Sequence, residues 1–215
     1  MFLISEYLTE GVITKAKIMK SLIFVLFFIP ATVVNSQERK ASIATVEKVS
    51  GVPIFLMAKP VAEYEVTGKA VSGGYVIKMT VNESSSIQDK AEAMVAKAKE
   101  RVEAGKLPEF DAIILDLYKE KNKAIKFKDN VSLKAEVVRE DGVPIYFYSK
   151  PDDEYEVVAK LPKDYSAYAA RNLLLDKIRS SINRILKKEE AGEVGKFDAV
   201  IFNPVDFSTT LIKFR

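Results

Sequence analysis

The chain contains a partial copy of itself. Gly51-Val52-Pro53-Ile54-Phe55, Lys59-Pro60 and Glu63-Tyr64-Glu65-Val66 return 91 residues on as Gly142-Val143-Pro144-Ile145-Tyr146, Lys150-Pro151 and Glu154-Tyr155-Glu156-Val157. Two later blocks return 87 residues on. Phe110-Asp111-Ala112-Ile113-Ile114 matches Phe197-Asp198-Ala199-Val200-Ile201, and Ala124-Ile125-Lys126-Phe127 matches Leu211-Ile212-Lys213-Phe214. The change of offset places a four-residue deletion in the second copy, between its early and late blocks. A unit of about 85 residues buries only about 60–65% of the surface its unfolded chain exposes. Sharing a core or an interface with its twin therefore helps each copy to fold.

Within each copy the pattern reads strands, helix, strands. Residues 43–49 form a first strand that runs into Ser50-Gly51-Val52-Pro53. Gly and Pro punctuate a turn there, and Pro suits a strand start or an edge because it fixes φ and lacks a donor. Ile54-Phe55-Leu56-Met57 is apolar throughout, as in a short strand buried on both faces. Simple alternation puts Phe55 and Met57 on one face and Ile54 and Leu56 on the other, with Tyr146 and Tyr148 opposed to Ile145 and Phe147 in the second copy. An antiparallel sheet carrying helices on one face needs only one apolar face per strand. Something must cover the second face, and the twin copy is the nearest candidate. The two Gly-Val-Pro-Ile segments are therefore expected to meet across a pseudo-twofold interface.

Lys59-Pro60 closes this strand, and Glu63–Thr67 alternates with Tyr64 and Val66 on the apolar side. Ser72-Gly73-Gly74 signals a hairpin into a strand over Tyr75–Val81. Ser86, with Asp89 three residues later, opens a helix with a capping box. Ile87, Ala91, Met94, Val95, Ala98 and Val102 form its apolar stripe. The second helix carries Tyr168, Leu175, Ile178, Ile182 and Ile185 and is expected to start at Asp164 or Ser166, leaving the Tyr75–Val81 strand without a counterpart. The reading is α+β: two tandem repeats, residues 41–128 and 133–215, each a small, mostly antiparallel sheet with one amphipathic helix on one face. Lys128-Asp129-Asn130 is the short connection.

Composition limits the chemistry more than it suggests any. Among 215 residues there is no Cys, His or Trp. Disulfides, thiolate nucleophiles, Cys/His zinc sites and imidazole bases are thereby excluded. The net charge of +3 is too small to argue for nucleic acid or an anionic membrane. Residues 1–36 read as a signal peptide. Lys15, Lys17 and Lys20 precede the apolar run Leu22–Ile29, and small residues lie near Ser36. Met19 is the more natural start for such a segment, which would make residues 1–18 an over-extended start. The apolar run falls short of the ~20 residues needed to span a bilayer. The alternative is one uncut anchoring helix. Without a Cys after the run there is no lipid-modified N-terminus. The expected location is periplasmic or secreted, with no stable membrane anchor after cleavage.

Glu65-Val66-Thr67-Gly68-Lys69-Ala70-Val71, the helix from Ser86 and the Phe110-Asp111-Ala112-Ile113-Ile114 strand resemble the YbjQ-like family. They also resemble its structural relative, the outer-membrane stress-sensor lipoprotein of the Rcs phosphorelay. The resemblance implies a fold and a tendency to form homo-oligomers, with no chemistry attached. The lipid-anchoring Cys and the disulfides of the sensor are missing, so its signalling role does not carry over.

Asp111 and Asp198 are the best-matched carboxylates and could serve as an acid/base pair or hold Ca²⁺ with other oxygens. The simpler reading is an Asp bonded to backbone in the turn before its strand. Glu63 and Glu65, with Glu154 and Glu156, lie on polar strand faces close to Lys59 and Lys150, which suggests surface ion pairs. Tyr64 and Tyr155 read as core with the hydroxyl at its edge. Ser84-Ser85-Ser86 has no base partner and reads as a cap. Asn82-Glu83-Ser84 is a glycosylation sequon only in a eukaryotic secretory pathway. Arg171, Arg179, Arg184, Lys187 and Lys188 form a basic helix face, either solvated or an anion or partner surface. No catalytic, cofactor or metal site is assigned. The candidate interaction surface is Phe55, Met57, Tyr146 and Tyr148. The functional reading is an exported, non-enzymatic binding or protein-interaction module with an envelope or secreted partner. A carboxylate-dependent hydrolase or a structural oligomer subunit is the alternative.

Overall fold

In the computed structural model, which describes residues 43–72, 86–163 and 173–215, the stretch expected as one first strand divides at Glu47. It becomes β1 (Ile43–Val46) and β2 (Lys48–Val49), and each joins a different sheet. The first half continues with β3 (Val52–Leu56), β4 (Ala58–Pro60), β5 (Tyr64–Gly68), α1 (Ile87–Glu103), β6 (Ala112–Asp116) and β7 (Lys121–Phe127). The second half runs β8 (Lys134–Val137), β9 (Arg139–Glu140), β10 (Val143–Phe147), β11 (Ser149–Pro151), β12 (Tyr155–Leu161), α2 (Leu174–Glu190), β13 (Ala199–Phe202) and β14 (Thr209–Phe214). The architecture is α+β, two helices with three sheets among the described residues.

Two sheets are five-stranded, in the orders β2-β3-β6-β7-β5 and β9-β10-β13-β14-β12. Most pairs in them are antiparallel, but β3 pairs with β6, and β10 with β13, in parallel. Parallel neighbours need a crossover connection, and α1 and α2 lie within those two connections. The β2–β3 hairpin turns on Ser50 (φ 49) and Gly51 (φ 84), and the β9–β10 hairpin on Asp141 (φ 50) and Gly142 (φ 77). Two consecutive left-handed residues are what a type I′ hairpin requires.

The third sheet has four strands, in the order β11-β1-β8-β4. It draws two strands from each half and alternates between them. At its centre Ala44 lies opposite Ala135, with Ile43 opposite Glu136 and Thr45 opposite Lys134. The expectation that Lys59-Pro60 closes a strand is corrected here: both lie in β4, paired with β8.

Left-handed residues make this third sheet possible. Met57 (φ 55) ends β3 and Tyr148 (φ 53) ends β10, and each turns the chain out of a five-stranded sheet into β4 or β11. The same turn breaks the alternation read from the sequence. Phe55 is buried with Val46, Ala58, Ala112, Ile114, Ile125, Phe127 and Ala135, whereas Met57 joins Ile54 and Leu56 in a different cluster. In the second half Tyr146 packs with Ala44, Val137, Ala199 and Ile212, while Tyr148 sits with Ile145 and Phe147.

The largest cluster lies on the helix side. It joins Val52, Ile54 and Leu56 with Val143, Ile145 and Phe147, and brings in the buried faces of both helices. The apolar stripe of α1 is the expected one, with Ile87, Ala91, Met94, Val95 and Ala98 buried and Val102 packed at the margin. Its capping box is formed: the Asp89 amide donates to Ser86 Oγ at 3.0 Å and the Ser86 amide to Asp89 Oδ2 at 2.8 Å. α2 buries Leu174, Ile178, Ile182 and Ile185, and its N-cap, Leu173, makes no side-chain cap bond. The expected earlier helix start at Asp164 or Ser166, with Tyr168 and Arg171, lies outside the described residues. So do the signal segment 1–36, Gly73-Gly74, the Tyr75–Val81 strand and the Asn82-Glu83-Ser84 sequon.

Candidate functional site

The four-stranded sheet forms a seam between the halves, and backbone bonds tie both sides of it. The Glu47 amide donates to the Tyr148 carbonyl at 2.7 Å, and the Val138 amide donates to the Met57 carbonyl at 2.8 Å. Phe55 and Tyr146 are fully buried, Met57 and Tyr148 are each 3% exposed. The four residues offered as an interaction surface are thus interior. The face carrying Phe55 and Tyr146 is covered by seam-sheet residues drawn from both halves. Burial holds the Tyr148 phenol above its ordinary range, and the nearby Glu92, Asp89 and Glu47 add to the effect. Its hydroxyl is buried without a hydrogen-bond partner.

Asp111 and Asp198 hold backbone, and the backbone they hold is that of a neighbouring strand. Asp111 Oδ2 accepts from the Phe127 amide at 2.8 Å, and Asp198 Oδ2 accepts from the Phe214 amide at 2.9 Å. Each Asp amide donates in turn across the same strand pair, Asp111 to the Ile125 carbonyl and Asp198 to the Ile212 carbonyl. Each carboxylate thus clamps the start of one strand to the end of the next. The sequence expectation of a local turn bond had the role right and the partner wrong.

The expected pairs between Lys59 or Lys150 and the neighbouring glutamates are replaced by pairs across the seam. Lys150 Nζ lies 2.8 Å from Glu47 Oε1, and Lys59 stands opposite Glu136 in register. Glu63 is bonded instead to Lys128, 2.7 Å away. Tyr64 and Tyr155 are partly buried against the Phe55 and Tyr146 clusters. Val66, read as sharing the apolar face of Tyr64, is 52% exposed, as is Val157 at 51%. Both lie on strands, β5 and β12, that are outermost in their sheets among the described residues.

The sequence did not point to the cluster of Tyr118, Glu140 and Arg179. Tyr118 Oη donates to Glu140 Oε2 at 2.6 Å, Arg179 Nε donates to Glu140 Oε1 at 2.8 Å, and the guanidinium lies 5.4 Å from the Tyr118 ring centroid. Tyr118 comes from the first half and the other two from the second. Burial, then the bond to Glu140, hold the Tyr118 phenol above its ordinary range, while the bond to Glu140 raises Arg179. Of the basic α2 face, Arg179 is therefore committed to the seam, and Lys188 pairs with Glu193 at 2.5 Å.

A second feature only the fold reveals involves Lys90 of α1 and Lys177 of α2. The Lys90 ammonium is buried without a hydrogen-bond partner. Burial holds its pKa below the ordinary lysine value, and the charge of Lys177 acts in the same direction. Among the described residues no group of three or more Asp or Glu side chains could hold a metal ion, and no helix is long and apolar enough to cross a membrane. No protein-family model, curated protein or solved structure matches this chain.

Proposed function

We propose that this chain is an exported, non-enzymatic binding or protein-interaction module, periplasmic or secreted, built as a tandem repeat of one strands–helix–strands unit whose fold resembles that of the YbjQ-like family. The repeat reading is supported by correspondence in detail. Met57 and Tyr148 are both left-handed, as are Glu120 and Phe207, and Gly105 and Gly192. The edge-strand pairings shift register after Val66 in one half and after Val157 in the other. Ala44 stands opposite its own counterpart, Ala135, which is what a pseudo-twofold axis through the seam requires.

The observation that carries the non-enzymatic reading is the use made of the matched carboxylates. Asp111 and Asp198 each accept a backbone amide 16 residues away, a structural duty. With the seam faces buried inside the chain, the half-exposed Val66 and Val157, on strands that are outermost among the described residues, are two of the exposed apolar positions, alongside Val61, Val131 and Val205, and the two that lie on a strand edge open to a partner. A strand edge presents unpaired backbone groups that another chain can complete. The test is retention of envelope or secreted proteins by the immobilised mature chain, identified by mass spectrometry, with Val66→Asp/Val157→Asp as comparison. The reading expects a partner retained by the wild type and lost in the variant. A hydrolytic activity abolished by Asp111→Asn or Asp198→Asn in a still-folded protein would overturn it.

A further inference from the structure

The seam is close to symmetric, and a symmetric seam allows a wrong pairing. If each half presents the same strand about the same axis, β1 can meet β1 of a second copy as well as β8 of its own chain. The residues at the seam permit this. Pairing two first halves would place Ala44 opposite Ala44, Ile43 opposite Thr45 and Lys59 opposite Thr45. Pairing two second halves would place Lys134 opposite Glu136 and Lys150 opposite Glu136. None of these combinations is repulsive, although a pair of second halves would also bring Glu136, in the place of Thr45, beside Asp152. The first half also leaves the ribosome first, when the only seam strand available is that of another nascent first half.

Several charged contacts described at the seam break this symmetry, among them Lys150 with Glu47 and Lys134 with Asp152 and Thr45, and the one with the most buried carboxylate is the cluster of Tyr118, Glu140 and Arg179. The matching positions in the other half are Val205 for Tyr118, Val49 for Glu140 and Glu92 for Arg179. Like pairing of first halves would set Tyr118 against Val49 and Glu92. Like pairing of second halves would set Val205 against Glu140 and Arg179. Only unlike halves assemble the phenol, the carboxylate and the guanidinium together. The Glu140 side chain is 13% exposed in the assembled cluster, so losing Tyr118 removes one of the two hydrogen bonds described to a largely buried carboxylate.

We propose that the Tyr118–Glu140–Arg179 cluster is a pairing determinant of this fold, favouring the second half as partner for the first over a like half from another copy of the chain. This rests on the tandem-repeat reading above. In the intact chain the short connection, residues 128–133, also favours the native partner by raising its effective concentration. The test must therefore release that connection.

The experiment uses the full chain carrying Ala44→Cys and Ala135→Cys, with a protease site in place of Asp129–Val131. The protein has no Cys of its own. The chain is folded, cut at the inserted site, re-equilibrated in reducing buffer with moderate urea and then oxidised, and the disulfide-linked peptides are quantified by mass spectrometry. With the cluster intact, the 44–135 bridge dominates. With Tyr118→Val and Arg179→Glu, the side chains of the matching positions, 44–44 and 135–135 bridges rise roughly tenfold or more relative to 44–135, a shift of the size a partly buried charged cluster supports. Should that variant fail to fold by circular dichroism, Tyr118→Phe with Arg179→Gln takes its place under the same criterion. If the uncut parent does not form the 44–135 bridge, the symmetric-seam reading itself fails. If it does form, and the ratio of bridges is unchanged when the cluster is removed, the pairing proposal is overturned.

Discussion

Replacing Phe55 by Ala tests the shared interior most directly. The ring is fully buried, tilted against Phe127 with centroids 6.3 Å apart, and packed among residues of β1, β4, β6, β7 and, from the second half, Ala135 of β8. Removing a fully buried Phe forfeits about 1.5–3 kcal/mol of transfer free energy. The cavity it leaves brings the loss to about 3–5 kcal/mol. Set against a total stability of about 5–15 kcal/mol, this is a large fraction. In urea, with a slope of about 2 kcal/mol per M, the midpoint should fall by about 2 M. What discriminates is the shape of the transition. If the halves share their core through the seam, Phe55→Ala and its counterpart Tyr146→Ala shift one common transition by similar amounts, followed by far-UV circular dichroism and by tyrosine fluorescence. Two resolved transitions, with Phe55→Ala moving only one of them, would refute the shared core. A loss below about 1 kcal/mol would refute the burial argument itself.

Asp111→Ala should cost about 1.5–3 kcal/mol by leaving the Phe127 amide without its charged acceptor. Hydrogen exchange at that amide should speed up accordingly, and Asp111→Asn should keep most of the protection; unchanged exchange in the Ala variant would remove the clamp. Ser86→Ala should cost about 1 kcal/mol through loss of the α1 cap, read by chemical denaturation, and no loss would discount the capping box. Lys90→Met should stabilise the chain by about 1 kcal/mol at pH 7, since the buried ammonium has no hydrogen-bond partner. The folded-state value of Lys90 lies below the ordinary lysine value, so over the interval between them the unfolded chain holds more proton and stability rises with pH. The advantage of the Met variant should then shrink as pH rises through the folded value towards 10.5, and a pH-independent difference would show that burial of the charge is not the cause. N-terminal sequencing of exported protein should begin after Ser36, and a chain still beginning at Met1 or Met19 would defeat the signal-peptide reading.

Local pattern settled what local physics controls. Ser86 and Asp89 name the start of α1 because the cap is a contact between residues three apart. The stripe from Ile87 to Ala98 names its buried face because helical spacing alone aligns those side chains. The Gly-Val-Pro-Ile duplication placed apolar strands at β3 and β10, and their unbroken hydrophobicity required cover on both faces. The tertiary structure decided what supplies that cover. Met57 and Tyr148 take left-handed conformations that no propensity assigns to them, and that turn sends β4 and β11 into a separate sheet and moves both side chains to the opposite cluster. It also decided the partners of Asp111, Lys150 and Tyr118, each of which lies across a strand pair or across the seam. Sequence spacing carries contacts between near neighbours. Contacts made by chain segments that meet only after folding leave no such trace, so these pairings are legible only once the seam is closed.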